Sequence, residues 1–158
     1  MNMDSPSLVS LLGSHPLLKG LTPTQLAEIA SCARVQTLAP NEFLAREGDV
    51  ANAVMLLHSG RLSLEIHTPG RGDVAVETFR GGDVLGWSTL FPPFVWHLDT
   101  RAVEPSTVIH LEATQLSTLL QADAALGYTF THRLLGEVSR RLARARLQQL
   151  DVYKAEHR

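Results

Sequence analysis

The chain has 158 residues, 44% of them hydrophobic and 19% charged, with a formal net charge of -2. That is the length of one domain with room for a real core, and the composition excludes a disordered or fibrous protein. The slightly negative balance argues against a whole-surface basic footprint for nucleic acid, and the one cysteine, Cys32, excludes an internal disulfide or a Cys-rich zinc site.

No apolar run approaches the length of a membrane span. The stretch before Leu8–Leu12 carries Asp4 and lacks the basic residues of a signal peptide, so a cytoplasmic location is expected. Ser5 or Ser7 can cap a short helix through Leu8, Leu11 and Leu12, ended by Gly13. His15-Pro16-Leu17-Leu18 predicts a helical restart that Gly20 breaks. Thr22-Pro23-Thr24-Gln25 is a helix start with proline at the first position. Leu26, Ile29 and Ala30 then share one helical face, and the helix ends near Ser31–Ala33. Cys32 in this stretch reads as a small core residue.

The period then changes. Val35, Leu38, Phe43 and Leu44 form short runs split by Pro40-Asn41, and Glu47-Gly48-Asp49 is a turn. Val54-Met55-Leu56-Leu57 predicts a buried strand and Ser59-Gly60 a second turn. Leu62, Leu64 and Ile66 alternate with Ser63, Glu65 and His67, the pattern of a half-buried strand. Pro69-Gly70-Arg71-Gly72 turns the chain into a return strand that carries Val74 and Val76 and ends near Phe79. Short strands punctuated by glycine, without helices between them, argue for an antiparallel sandwich or barrel.

Gly81-Gly82-Asp83-Val84-Leu85-Gly86 predicts a turn, a strand stub and a tight backbone bend. Ser88 and Thr89 suit a helix start, and Pro92-Pro93 stops any long helix. Such an opening leaves backbone N–H groups pointing one way, which suits a phosphate or carboxylate. The competing reading is a barrel corner that binds nothing. A strand follows near His97–Val103, then a turn at Glu104-Pro105-Ser106 and a last strand at Val108-Ile109-His110-Leu111.

Helices close the chain. Glu112 to Leu116 begins one, and Asp123 can cap another that extends to about Tyr153. Leu135, Val138, Leu142, Ala145 and Gln149 follow a three-four spacing. Either this seam packs on the barrel or it is a homodimer interface; Leu147 and Leu150, off the seam, favour the dimer. Arg140, Arg141, Arg144 and Arg146 read as a solvated face paired with Glu137 or Asp151.

The chain resembles the cyclic-nucleotide-binding domain of the catabolite-activator and FNR (Crp/Fnr) class from about Leu17 to Val152. Gly48-Asp49-Val50-Ala51, with Val54 to Leu57 and Ser59-Gly60-Arg61-Leu62, is similar to the family's double-glycine hairpin block. Gly81 to Gly86 is similar to the lead into its phosphate-binding cassette, and Arg101-Ala102-Val103-Glu104-Pro105 to the strand leaving it. The resemblance implies a mainly β fold: an eight-stranded antiparallel jelly-roll over residues 34–112, helices over 1–33 and a long C-terminal helix within 113–158. It places a ligand among Gly86, Trp87, Ser88, Thr89, Leu90, Trp96 and His97.

The departures bear on function. The family's cassette glutamate, which accepts from the ribose hydroxyl, is replaced by Trp87, and the arginine that pairs with the cyclic phosphate by Trp96. Indole offers one N–H and cannot accept. Arg101 is five residues beyond Trp96 and points to the opposite face of a regular strand. The expected function is therefore a non-enzymatic regulatory or sensor domain with a degenerate cassette, signalling through its C-terminal helix. The alternatives are a structural interaction module without a small ligand, and a weak cyclic nucleotide binder. No cofactor is fixed by the sequence; the ligand classes left open are a cyclic nucleotide or another small anion. A homodimer and a protein partner are expected, while a metal, a membrane and direct DNA binding are not, since the chain stops at Arg158 without a recognition helix. Trp87, Phe91, Phe94 and Trp96 lie within ten positions. They predict that Trp96 turns into the nucleotide space with Trp87 and Phe94 nearby, or that the rings form an exposed docking patch.

Overall fold

Two four-stranded antiparallel sheets face each other in the computed structural model, which describes residues 4–157. The ends of the expected outer segments, residues 1–3 and Arg158, lie outside the described residues, as does the side chain of Ser5. In chain order the elements are α1 (Ser5–Gly13), α2 (Pro23–Ala30), β1 (Ala33–Leu38), β2 (Phe43–Ala45), β3 (Ala53–Ser59), β4 (Arg61–Thr68) and β5 (Gly72–Arg80). Then come β6 (Val84–Leu85), a 3-10 turn (Trp87–Leu90), β7 (Asp99–Ala102), β8 (Ser106–Glu112), α3 (Ala113–Ala122) and α4 (Ala124–Glu156). The sheets run β1-β8-β3-β6 and β2-β7-β4-β5. Eight strands in this order, with helices before and after, form the expected jelly-roll.

The continuous apolar run in β3 has a simple cause. Its sheet is covered on both faces. Val54 and Leu56 point to a core shared with Leu12, Ile29, Leu116, Leu126 and Phe130 of the helices and with Leu18 from the turns before α2. Met55 and Leu57 point into the sandwich, among Leu62, Phe79, Leu85, Trp96 and Val108. The helices are therefore part of the core and not appendages.

Local chemistry fixes the helix ends. The Thr22 hydroxyl accepts from the Gln25 amide while the Gln25 side chain accepts from the Thr22 amide, a complete capping box. Asp123 caps α4 by accepting from the Leu126 amide at 3.1 Å. Gly127 is required beside it, since a Cβ there would lie 2.4 Å from the Leu120 carbonyl.

Several local expectations need correction. Ser7 lies within α1, whose cap position is Asp4. Residues 14–20 form turns and not a second helix. The His15 ring holds them: Nδ1 accepts from the Leu17 amide, and Nε2 lies 3.3 Å from the Asp83 carbonyl. The strand expected near His97 starts at Asp99. In β4 the alternation fails at a register shift between Leu64 and Glu65, so Glu65 is 3% exposed while Ile66 faces solvent. Val74 and Val76 are also exposed, because β5 is an edge strand.

Candidate functional site

The site is built on the bend after β6. The Asp83 carboxylate accepts from the Arg80 amide at 2.8 Å and closes the Gly81-Gly82 turn. β6 then pairs with Met55 and Leu56 of β3. Gly86 follows with φ 74°, a left-handed conformation. A Cβ on Gly86 would lie 2.8 Å from the Ala53 carbonyl and 3.4 Å from the Trp96 ring, so no other residue fits without displacement. The 3-10 turn opens from this glycine, with the Thr89 amide donating to the Gly86 carbonyl at 3.0 Å.

Trp96 closes the other side. Its amide donates to the Asp49 carbonyl at 2.9 Å and its carbonyl accepts from the Gly48 amide at 2.8 Å. The indole is 7% exposed and joins Leu85, Leu62 and Phe79 in the sandwich core. What remains between these groups is a cleft of about 180 Å³. Of the residues expected to hold a ligand, Gly86, Trp87, Ser88, Trp96 and His97 line it. Thr89 and Leu90 line a separate groove with Asn52, Glu112 and Phe94. Phe94 is thus apart from Trp96, and both Phe91 and Phe94 are exposed.

Arg141, the guanidinium in the cleft wall, and Arg101 are both already paired. Arg101 lies outside the sandwich, with Nε and Nη2 at 3.2 and 2.6 Å from Oε1 of buried Glu65. That hydrogen bond, and then the Glu65 charge, hold the Arg101 pKa above its ordinary value. Arg141 of α4 grips Glu77 of β5 with two bonds, Nε–Oε1 at 2.9 Å and Nη2–Oε2 at 2.7 Å. Its guanidinium carbon stands 4.1 Å from the Trp87 ring centroid and 4.4 Å from that of Phe79. Arg141 therefore forms part of the cleft wall, which corrects its reading as a solvated residue; Arg140 does pair with Glu137. The Arg141–Glu77 pair spans 64 residues, and nothing in the local sequence signals it.

The other shifted groups lie elsewhere. His110 is pushed down to about 4 by burial and then by the Arg34 charge. Burial lowers the His15 pKa and raises that of the Cys32 thiol, which suits a core residue and not a nucleophile. Among the described residues no three His, Cys, Asp or Glu side chains gather as a metal site would. Among them, too, no helix is long and apolar enough to cross a membrane.

A jelly-roll with a glycine-led helical turn between two strands and a long helix behind it defines a regulatory domain of the Crp/Fnr-like type. The profile described as Cyclic nucleotide-binding domain matches residues 35–123, more than half of the sequence, and the chain belongs to that family. It is similar in structure to a cyclic nucleotide-binding domain from Methylobacillus flagellatus KT, with a TM-score of 0.77 and 17% identity over 93% of this chain and 83% of that one. It is also similar to the sensor domain of the transcriptional regulator DNR from Pseudomonas aeruginosa, with a TM-score of 0.70 and 21% identity over 88% and 93%. The Thermus thermophilus catabolite activator protein gives 0.68 and 22%, over 88% of this chain and 63% of its own. At these identities the likeness is one of fold. No match was found among curated proteins.

Proposed function

We propose that the chain is a non-enzymatic regulatory sensor domain with a degenerate phosphate-binding cassette, signalling through α4 to a partner. The observation that carries this reading is Trp96, packed against Gly86 where a cyclic phosphate would need a cation. The nearby arginines are engaged, Arg101 with Glu65 and Arg141 with Glu77. A buried phosphate without a paired guanidinium loses about 2–5 kcal/mol of binding. Arg141 gives a route for the signal, because one side chain of α4 touches both the cassette residue Trp87 and β5.

The test is a calorimetric titration with cyclic AMP. Absent or weak binding is expected, and a low-micromolar dissociation constant would overturn the reading. A second reading, a structural module without any small ligand, draws on the membership of Trp96 in the sandwich core. A thermal-shift screen with cyclic nucleotides and small anions separates the two. A ligand at a hundred times its dissociation constant adds about 2.7 kcal/mol of stability, and a module without a ligand gains nothing.

A further inference from the structure

We propose that the cleft takes a neutral ligand built on a single six-membered aromatic ring, phenol being the simplest case, and that it is too small for a nucleotide. The proposal names the ligand class of the sensor reading above and rests on it. Volume is the first argument. The cleft measures about 180 Å³. An apolar cavity of ~150 Å³ holds benzene, while sites for larger ligands run to roughly 300–1,000 Å³. A purine, a ribose and a cyclic phosphate together exceed what Trp96 leaves open.

The walls give the second argument. Leu64, Phe79, Leu85, Trp87, Trp96 and Leu98 present aliphatic and aromatic surface. Such walls hold a ring by burial and by offset or edge-on stacking.

Charge supplies the third. Arg141 is the cation in the wall, and its Nε and Nη2 are bonded to the two Glu77 carboxylate oxygens. With its charge already shared with Glu77, Arg141 offers an entering anion no unpaired counter-charge, so a neutral ligand is favoured. At the same wall the Ser88 hydroxyl and the His97 imidazole can exchange one hydrogen bond with a ring hydroxyl.

Calorimetry on the wild-type chain with phenol, benzoate and cyclic AMP tests this. Both tryptophans of the protein line the cleft, so their emission reports the same event. Phenol is expected to saturate with a dissociation constant on the order of 0.1–1 mM and to change the indole emission. Benzoate is expected at least ~10-fold weaker. Leu64→Phe narrows the cleft and should abolish phenol binding. Leu64→Ala widens it and should improve binding of 1-naphthol over wild type; if the phenylalanine variant does not fold, this second variant still decides. No saturable phenol binding, or phenol binding unaffected by changes at Leu64, overturns the proposal. Low-micromolar cyclic AMP binding overturns instead the degenerate-cassette reading beneath it. Failure of phenol with cyclic AMP also silent removes the ligand class alone.

Discussion

The guanidinium of Arg141 lies over the indole of Trp87, with 4.1 Å between the guanidinium carbon and the ring centroid. One residue thus ties the long C-terminal helix to the bend that shapes the cleft. Its second hold, on Glu77, closes α4 against the edge strand β5. Beyond this point no residue of α4 is buried. Past Arg141, a groove lined by Arg144, Ala145 and Gln148 still borders β5.

Replacing Arg141 with alanine should therefore loosen both contacts. The Glu77 carboxylate is left half-buried without its partner, and Trp87 loses its cation. A loss of about 1–3 kcal/mol is expected from urea unfolding. Indole emission should move to longer wavelength as Trp87 meets water. Lysine at this position should restore only part of the loss, because an ammonium cannot reproduce a two-pronged grip. Unchanged unfolding and unchanged emission in the alanine variant would remove Arg141 from any coupling role.

Much of the fold is legible in the sequence, because burial on two faces leaves a plain mark. The Val54–Leu57 run and the glycine punctuation around it are examples. Less of the site is legible. Glu65 occupies a position that alternation assigns to solvent, yet a register shift and the cross-strand partner Arg101 bury it. Phe94 and Trp96 are neighbours in the chain, but Phe94 has φ 57° and its ring faces solvent. Arg141 looks like its three basic neighbours until β5 is placed beside it. Local pattern records periodicity, and these three positions are decided by contacts between distant segments.

Stability should fall in mild acid through His110. An unfolded imidazole titrates near 6.5, and the folded one near 4. Between those values the unfolded chain binds the extra proton. The contribution is therefore complete above about pH 6.5 and is lost as pH falls towards 4. About 2 kcal/mol should disappear between pH 7 and pH 5. His15, also lowered by burial, acts in the same direction. Urea unfolding at the two pH values measures the loss. A glutamine at position 110 should flatten the slope, and an equal slope in that variant would exclude His110 as its source.

Two glycines in α4 should respond with opposite signs to the same substitution. A Cβ on Gly127 would lie 2.4 Å from the Leu120 carbonyl, so Gly127→Ala must push α3 and α4 apart. A loss of about 1–3 kcal/mol is expected. The nearest atom to a Cβ on Gly136 is Arg140 Nη1, at 3.8 Å. Gly136→Ala should stabilise the helix by roughly 0.5–1 kcal/mol, the ordinary helical preference for alanine. Paired thermal unfolding of the two variants gives the answer, and a gain at Gly127 would show that the close approach is not rigid.

The last prediction concerns the exposed half of α4. The helix has 33 residues and is about 50 Å long. Leu126, Phe130 and Leu134 face the body of the protein. At about 100° per residue, Leu135, Leu142 and Tyr153 fall within roughly 20° of one line. Val138, Ala145 and Val152 lie to one side of that line and Leu150 to the other. Leu135, Leu142 and Tyr153 are about a third of a turn from the first stripe and exposed, whereas Val138 is half-buried and Ala145 lines a groove with β5. Leu135 is 64% exposed and Leu142 51%. A lone helix with an apolar stripe in water is marginal, and a two-fold pairing with a second copy would bury that stripe while supporting the helix. A homodimer is therefore expected in sedimentation at concentrations on the order of tens of micromolar. Leu142→Glu should shift the chain to monomer, since two carboxylates would meet near the axis. Its tryptophan emission should stay as in wild type, because Leu142 belongs to neither core cluster. If the wild-type chain sediments as a monomer, the seam belongs to the barrel or to a different protein, and the homodimer is excluded.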